Sequence, residues 1–337
     1  MPNNISTSNK IQNSIIEGVS PTIQLDENIN LYVIPREEIK WREFLKYAPD
    51  YSVALDGFVY GISRFDSAKC IVNFNHHEDV DRMATRSTCA QVYMALQQGL
   101  MNSFQYEGTP RLNIFVNDSD QDVSLSVWLL KNHDKISGQK ITPLINRLVF
   151  TEDILDTTAG AYPFDPSSKL MQELEWIFEP YTKARTSFKL SSMNNIEIAE
   201  TILSVCKKID KYCEKKNGLI PLDLQFKKLG GGENWALIEE IGAAARTGVY
   251  RTGVRAYISV YKNKNNTYTY SIGKMSQFDN FPIKKLYQVL NKVENISPGS
   301  SNSWGGGDII GGSPRLTGSS LPPTEVEKLV NNYLKFL

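Results

Sequence analysis

Two of the three histidines in this 337-residue chain, His76 and His77, stand side by side after a short apolar run at residues 70–72. The run predicts a buried strand, and a helix capped by Thr85 or Ser87 follows it. In open α/β sheets, sites form at the carboxyl ends of strands. Imidazole beside carboxylates suits manganese and similar divalent metals. The pair is a candidate metal site, with hydrogen-bonded loop histidines as the alternative.

Carboxylates gather in the same way after a second predicted strand, residues 111–116. Asp118, Asp120 and Asp122 fall within five residues, just before a predicted helix. Such clustering is repulsive unless a cation or a helix N-terminus offsets it. The spacing is not that of a calcium loop, because glycine is absent at the sixth position and glutamate at the twelfth. Metal binding and helix capping with solvated carboxylates both remain open.

The elements that must position these residues alternate between strands and helices, which indicates an α/β fold. We predict strands at 30–34, 51–55, 70–72, 111–116, 255–261 and 267–272. We predict helices at 36–47, 123–131, 170–181, 196–215, 283–293 and 323–336. Asp56 follows one of these strands and precedes Gly57, so it is either a ligand or a turn residue.

The length favours two domains. We expect a flexible segment at 1–24, an α/β domain with a mainly parallel sheet at 25–150, a helical connector at 151–230, and a smaller mixed-sheet α/β domain at 231–337. The last of these contains a glycine-rich loop at 297–312, for which a flexible linker is the alternative.

Composition excludes several classes of partner. Lysine plus arginine equals aspartate plus glutamate, 37 each, so no global field attracts long nucleic acid or a membrane surface. No apolar run approaches the roughly 18 residues of a membrane span. Four cysteines without a CxxC pair, and a polar N-terminus, favour a cytoplasmic protein. The sequence leaves a homodimer open.

Three separated patterns resemble the DHH phosphoesterases. Asp56, the Asn-His-His triplet at 75–77 and the Ser-Thr-Cys-Ala helix start at 87–90 follow that family's order. In that family a strand ending in an aspartate comes next, and residues 114–118, Ile-Phe-Val-Asn-Asp, resemble it. Residues 311–318, Gly-Gly-Ser-Pro-Arg-Leu-Thr-Gly, are similar to the glycine loop of the DHH-associated C-terminal domain.

The resemblance implies a hydrolase that cleaves a small phosphodiester or phosphate with a divalent metal, Mn²⁺ or alternatively Mg²⁺. The substrate would be a short oligonucleotide, a cyclic dinucleotide or a nucleotide. The implied metal ligands are Asp56, His76, His77, Asp118, Asp120 and Asp122. The implied catalytic residues are His76, His77 and Asp120. The implied substrate-binding residues are Arg86, Gly311, Gly312, Ser313 and Arg315.

Two departures from the family pattern keep a second hypothesis open. Asn75 stands where the family has aspartate, and no histidine precedes His76 to form the first family motif. Residues 120–122, Asp-Gln-Asp, resemble the Asp-x-Asp part of that motif at another position. The alternative is a catalytically degenerate module that binds a nucleotide or a protein.

A separate basic group contains Arg246, Arg251 and Arg255, with Tyr250 and Tyr257 between them. Such a group can stack a base and hold a phosphate, or it can form an ordinary solvated edge.

Overall fold

The computed structural model describes residues 14–297, 300 and 302–335, and residues 1–13 of the predicted flexible segment lie outside this part. The strands are β1 (Ile23–Asp26), β2 (Ile29–Val33), β3 (Ile39–Lys40), β4 (Ser52–Leu55), β5 (Val59–Tyr60), β6 (Arg64–Asp66), β7 (Ile71–Phe74), β8 (Gln105–Tyr106), β9 (Thr109–Pro110), β10 (Leu112–Val116), β11 (Phe226–Gly232), β12 (Trp235–Glu240), β13 (Ala256–Lys262), β14 (Tyr268–Lys274), β15 (Gly305–Gly306) and β16 (Ile310–Gly312).

The helices are α1 (Trp41–Tyr47), α2 (Thr88–Gln97), α3 (Leu100–Ser103), α4 (Gln121–Lys131), α5 (His133–Ile136), α6 (Pro143–Thr157), α7 (Lys169–Thr186), α8 (Asn195–Cys213), α9 (Ala245–Arg251), α10 (Ile283–Val293) and α11 (Pro323–Leu334). With the strands they form a mixed α/β protein with two separate six-stranded sheets.

The first sheet has the order β1-β2-β10-β4-β7-β6. The four central strands are parallel, and the edge strands β1 and β6 are antiparallel to their neighbours, so the sheet is mixed. Every residue of β4, β7 and β10 is buried. Strands that are buried along their whole length are typical of a sheet covered on both faces.

Helices α2, α4, α6, α7 and α8 contribute to one core with the first sheet, through residues such as Leu148, Ile177 and Ile202. On the opposite face α1 packs its Phe44 against Phe58 and Phe115, with ring centres 6.0 and 5.3 Å away. Both faces of the parallel strands are therefore sealed, and only their ends remain for a site.

The second sheet has the order β11-β12-β13-β14-β16-β15, and only β12 and β13 pair in parallel. Apolar residues of α10 and α11 pack on one face of this sheet, among them Leu290 and Val330. Val249 and Tyr250 of α9 pack on the other face, against Tyr257.

Two local predictions were wrong. The helix predicted at 36–47 begins only at Trp41, because Arg36 has a left-handed φ of 61° and Ile39–Lys40 pairs with Val59–Tyr60. The glycine-rich loop at 297–312 contains the short strands β15 and β16, which extend the second sheet. The other predicted elements agree within a few residues, although Phe336 of the last helix lies outside the described part.

No helix in the described ranges is long and apolar enough to cross a membrane. The four cysteines are all free.

Replacing Gly312 by alanine should destabilise the second sheet, because the added Cβ would overlap the backbone carbonyl oxygen of Tyr270. We expect the free energy of unfolding to fall by about 2 kcal/mol, the cost of overpacking against an atom that cannot move away. Gly305, the strand partner of Gly312, is a matched control, since a Cβ there meets no atom within 4 Å. Urea unfolding of both variants checks this, and equal stabilities would contradict it.

Candidate metal centre

The predicted site residues meet because three neighbouring strands of the first sheet, β10, β4 and β7, run parallel and end at the same edge. Asp118 follows β10, Asp56 follows β4, and the triplet at 75–77 follows β7. Strand ends of this kind are where α/β proteins build sites. The shared edge therefore explains why residues about 60 positions apart in the sequence lie together.

Asp56 is buried and is tied to the edge by its backbone and its side chain. It has a left-handed φ of 50°, and its N–H donates to the carbonyl of Phe74. Its Oδ1 accepts hydrogen bonds from Thr88 Oγ1 and His77 Nε2, both at 2.9 Å. Burial alone would raise the pKa of Asp56, but His77 and His76 hold it well below its usual range. Asp56 is therefore a fixed, negatively charged ligand candidate.

His76 is fully buried among three carboxylates from different elements. Its Nε2 lies 2.8 Å from Asp156 Oδ2, 3.3 Å from Asp56 Oδ1 and 3.6 Å from Asp122 Oδ2. Neither ring nitrogen has a well-aligned hydrogen bond to any described residue. Burial by itself would lower the pKa of His76, but the carboxylates of Asp156 and Asp56 have the larger combined effect and raise the pKa to about 10. The carboxylates around this ring therefore favour a positive charge at its position.

These side chains are close enough to hold a metal ion. Two groups each bring three ligand atoms within 4.8 Å of one another, and His76 belongs to both: Asp56, His76 and His77 in one, His76, Asp122 and Asp156 in the other. Ligand atoms that share an ion at about 2.1 Å lie roughly 3 Å apart, close to the spacings around His76 Nε2. A buried imidazole nitrogen that faces three carboxylates attracts positive charge, whether a proton on the ring or a metal ion.

Asp122 lies in the first turn of α4 and also caps α2. Its two carboxylate oxygens accept the N–H groups of Thr88 and Cys89, at 2.7 and 2.6 Å. Burial, followed by the charges of Asp156 and Asp56, raises its pKa to about 7. The Asp122 carboxylate therefore accepts hydrogen bonds from the N-terminus of α2 and also belongs to one of the two candidate metal groups.

Asp118 and Asp120 lie beside the two groups but belong to neither, so their role as ligands stays a prediction. Asp120 is the N-cap of α4 and accepts the N–H of Val123 at 2.9 Å. Burial and the neighbouring carboxylates raise the pKa of Asp120 well above its usual range. Burial also raises the pKa of Asp118, and the charge of Arg315 partly offsets this.

Asp156 and Arg82 are the site residues that sequence reasoning missed. Asp156 lies at the end of α6, in the acidic run at residues 152–156, Glu-Asp-Ile-Leu-Asp. Arg82 is buried and donates to the Asp156 carboxylate at 3.1 Å and carbonyl at 2.9 Å. Both residues come to His76 through tertiary packing, and the only sequence signal for Asp156 was that acidic run.

Arg82 also fixes the proton on His77. Its Nη1 lies 3.2 Å from His77 Nδ1, and arginine can only donate. His77 Nδ1 must then accept, so the ring proton is on Nε2 and points to Asp56 Oδ1. In this arrangement His77 donates a hydrogen bond that orients Asp56, and both of its nitrogens are engaged.

Asn75, at the position where the DHH pattern has an aspartate, is fully buried. Its Oδ1 accepts the N–H groups of His76 and His77, at 2.8 and 3.1 Å. Its Nδ2 donates to Glu78 Oε2 at 2.6 Å and to the Gly61 carbonyl at 2.9 Å. Every polar atom of the side chain is used, so Asn75 shapes the loop and does not face the cluster.

The predicted substrate-binding residues are placed differently from one another. Arg86 donates to Asp153 at 2.7 Å and stays 58% exposed. Gly311 and Gly312 lie in β16, between β14 and β15, so they form a strand and not the predicted loop. Ser313 Oγ accepts the N–H of Tyr270 at 2.9 Å. Arg315 is exposed and has no ion pair with a described residue.

The separate basic group does not act as one unit. Arg246 donates to Glu240 at 2.9 Å and lies over the ring of Tyr257. Arg255 instead pairs with Asp279, and Arg251 is exposed.

Comparison with known proteins adds no assignment. No family model matches the chain, and none of the curated proteins matches it either.

Replacing Asn75 by aspartate should destabilise the protein although the two side chains have the same shape. The new oxygen would face the Gly61 carbonyl and the Glu78 carboxylate, where the amide now donates. We expect a loss of about 3 kcal/mol at pH 8, the cost of an uncompensated buried charge. Because this repulsion raises the folded-state pKa of the new carboxyl, the penalty should shrink as the pH falls toward 4.

Urea unfolding at pH 8 and pH 5 measures this penalty. The exposed Asn265 is the control, because its Oδ1 accepts from Thr267 and an aspartate can do the same. Its replacement by aspartate should change stability by no more than about 0.5 kcal/mol. An Asn75→Asp protein as stable as this control at pH 8 would contradict the hydrogen-bond assignment.

Binding of Mn²⁺ should release at least one proton at pH 7.5. The pKa of about 10 keeps His76 protonated in the metal-free protein, and its Nε2 must lose that proton to become a ligand. Affinity should therefore rise with pH by about tenfold per unit, and more steeply below the Asp122 pKa of about 7. Calorimetry in two buffers with different ionisation enthalpies counts the protons. Identical binding enthalpies in both buffers would exclude His76 as a ligand.

Proposed function

We propose that the chain is a divalent-metal-dependent phosphoesterase of the DHH type that hydrolyses a small phosphodiester or phosphate. The observation that carries this proposal is the convergence of Asp56, Asp122 and Asp156 on His76 Nε2 at the carboxyl edge of parallel strands. Carboxylate and imidazole donors together are the ligand set of hydrolytic divalent-metal sites.

The donor set fits manganese, with magnesium as the alternative. Asp56, His76, Asp122 and Asp156 would hold the ion, and Asp118 and Asp120 add carboxylates beside it. Imidazole favours manganese over magnesium, which prefers an all-oxygen shell. Bound there, a divalent ion would supply Lewis-acid polarisation of a phosphoryl oxygen.

Two side chains near the metal ligands would orient a ligand and bind a phosphate. His77 Nε2 carries a proton directed at Asp56, so His77 would hold the Asp56 carboxylate in position for the ion. Arg315 is an exposed cation whose charge is felt by Asp118. A phosphate between Asp118 and Arg315 would receive a charge-assisted hydrogen bond from the guanidinium.

We infer that each of the two sheets forms a domain with its own role. The first sheet would be the catalytic domain, and the second sheet would be the substrate-gripping domain that carries Arg315. Residues 151–230 would connect the two. The chain has no net charge, which favours short substrates over long nucleic acid. We infer a cytoplasmic location from the scattered cysteines and the polar N-terminal residues.

Asn75 favours one alternative, a degenerate module that binds a nucleotide or a protein without cleaving it. The side chain uses all of its polar atoms in the loop, so the position contributes no metal ligand. Asp156 supplies a carboxylate to His76 from another element, which is why we favour the enzyme.

The test is hydrolysis of bis(p-nitrophenyl) phosphate with Mn²⁺ and after its removal by chelation. We expect manganese-dependent turnover that falls by about 100-fold or more in His76→Gln and Asp156→Asn, because each removes a ligand. His133→Gln is the matched control, since the third histidine lies on α5 and belongs to neither metal group. Normal folding and manganese binding without turnover of this ester or a short RNA would favour the binding module.

A further inference from the structure

A row of polar side chains crosses the first sheet at the edge opposite the metal centre. Asn113 of β10 pairs in register with Asn30 of β2 on one side and with Ser52 of β4 on the other. Paired residues of neighbouring strands project to the same face, so we call these three residues the polar row. Two positions further along this face, Phe115 belongs to the apolar core under α1. Buried polar residues in such strands are unusual and point to a role beyond packing.

Hydrogen bonds within the polar row leave part of its capacity unused. Asn30 Nδ2 donates to Asn113 Oδ1 at 3.2 Å, and Asn113 Nδ2 donates to the Asp50 carbonyl at 3.0 Å. The Ser52 hydroxyl donates to the Pro49 carbonyl at 2.6 Å. Each amide has two N–H donors and one acceptor oxygen. In the described ranges no hydrogen bond uses Asn30 Oδ1 or the second N–H of either amide, so these groups remain for a ligand.

A cavity of about 480 Å³ opens beside Asn30 and Asn113. Its volume is in the range of small-molecule sites. Two of its walls are the aromatic side chains of Tyr51 and Tyr106. Arg111 also lines it, with Cζ 5.4 Å from the centre of the Tyr106 ring, and this cation–π contact holds the guanidinium in place. The cavity thus combines flat ring faces with the amides of the polar row.

Asp50 and Arg111 bring opposite charges to this cavity without pairing. Both are exposed, and neither forms an ion pair with a residue in the part of the chain that the structure describes. A ligand that satisfies both must offer N–H donors to the carboxylate and an anionic group to the guanidinium. A purine nucleotide has both, and its base can stack on a tyrosine ring. An amino acid carries the same two charges, but most amino acids would leave the ring faces unused.

We propose that this cavity binds a purine mononucleotide. Asp50 and the Asn30 amide would bind the edge of the base, and Arg111 would bind the phosphate. The cavity lies at the amino ends of β2, β4 and β10, whereas the metal centre lies at the carboxyl ends of parallel strands. The two sites are therefore separate, and this inference does not depend on the proposed function.

The test compares the equilibrium binding of GMP, AMP and ribose 5-phosphate to the full chain by calorimetry in EDTA. We expect at least one of the nucleotides to bind about tenfold tighter than ribose 5-phosphate, because only the nucleotides bring a base. Arg111→Gln should weaken nucleotide binding by about tenfold, since it removes the charge that holds the phosphate. Arg64→Gln is the matched control, because Arg64 is also exposed but lies on β6, and it should leave binding unchanged.

Tyr106→Ala tests the contribution of the base. This change should weaken nucleotide binding about tenfold and leave the binding of ribose 5-phosphate unchanged. Tyr60→Ala is the control, because Tyr60 is 46% exposed and Tyr106 is 51% exposed. Since both side chains lie at the surface, both variants should keep the Tm of wild type.

Equal affinity of wild type for all three ligands would overturn the proposal. So would nucleotide binding that Arg111→Gln leaves intact, because the ligand would then lie elsewhere. Tighter binding of tryptophan than of either nucleotide would identify the cavity as an amino-acid site and reject the nucleotide. His76→Gln should bind the nucleotide as wild type does, and loss of binding in this variant would place the nucleotide at the metal centre instead.

Discussion

Buried carboxylates that lie close together repel one another unless positive charge offsets them. The helices and loops at the carboxyl edge of the first sheet supply that positive charge. Asp56, Asp122 and Asp156 all lie within 3.6 Å of His76 Nε2. The same crowding raises the pKa of His76 and of Asp122. A proton on His76 partly neutralises the group, and a divalent cation would do so more completely. Metal affinity and proton affinity are thus two consequences of one arrangement.

Helix N-termini supply the rest of the compensation. Asp122 and Asp153 both accept backbone N–H groups at the start of α2, and Asp120 caps α4. Each of these ends carries a partial positive charge. Arg82 adds a full charge, because it pairs with Asp156 and fixes the His77 tautomer. The packing of α2, α4 and α6 against the sheet is therefore also what makes the acidic cluster tolerable.

The sequence predicted those parts of the site that depend on local order. Asp56, His76 and Asp118 each follow a short apolar strand, and the parallel pairing of the strands brings them to one edge. Asp156 and Arg82 could not be found in this way. Their position beside His76 depends on how α6 and the loop before α2 pack against the sheet. The spacing of apolar residues within a helix or strand does not predict that packing. The helix predicted from Arg36 was wrong for a similar reason, since pairing of Ile39–Lys40 with β5 overrides helical periodicity.

Asn75 shows how one buried amide can organise a pair of neighbouring histidines. An aspartate in its place could not donate to Glu78 and Gly61, so this loop requires the amide. The amide in turn holds the backbone N–H groups of His76 and His77, which sets the direction of both rings. The carboxylate nearest to His76 Nε2 is that of Asp156, 2.8 Å away and on another element. The side chain that holds the two backbone N–H groups is therefore uncharged, while the carboxylates lie around the His76 ring.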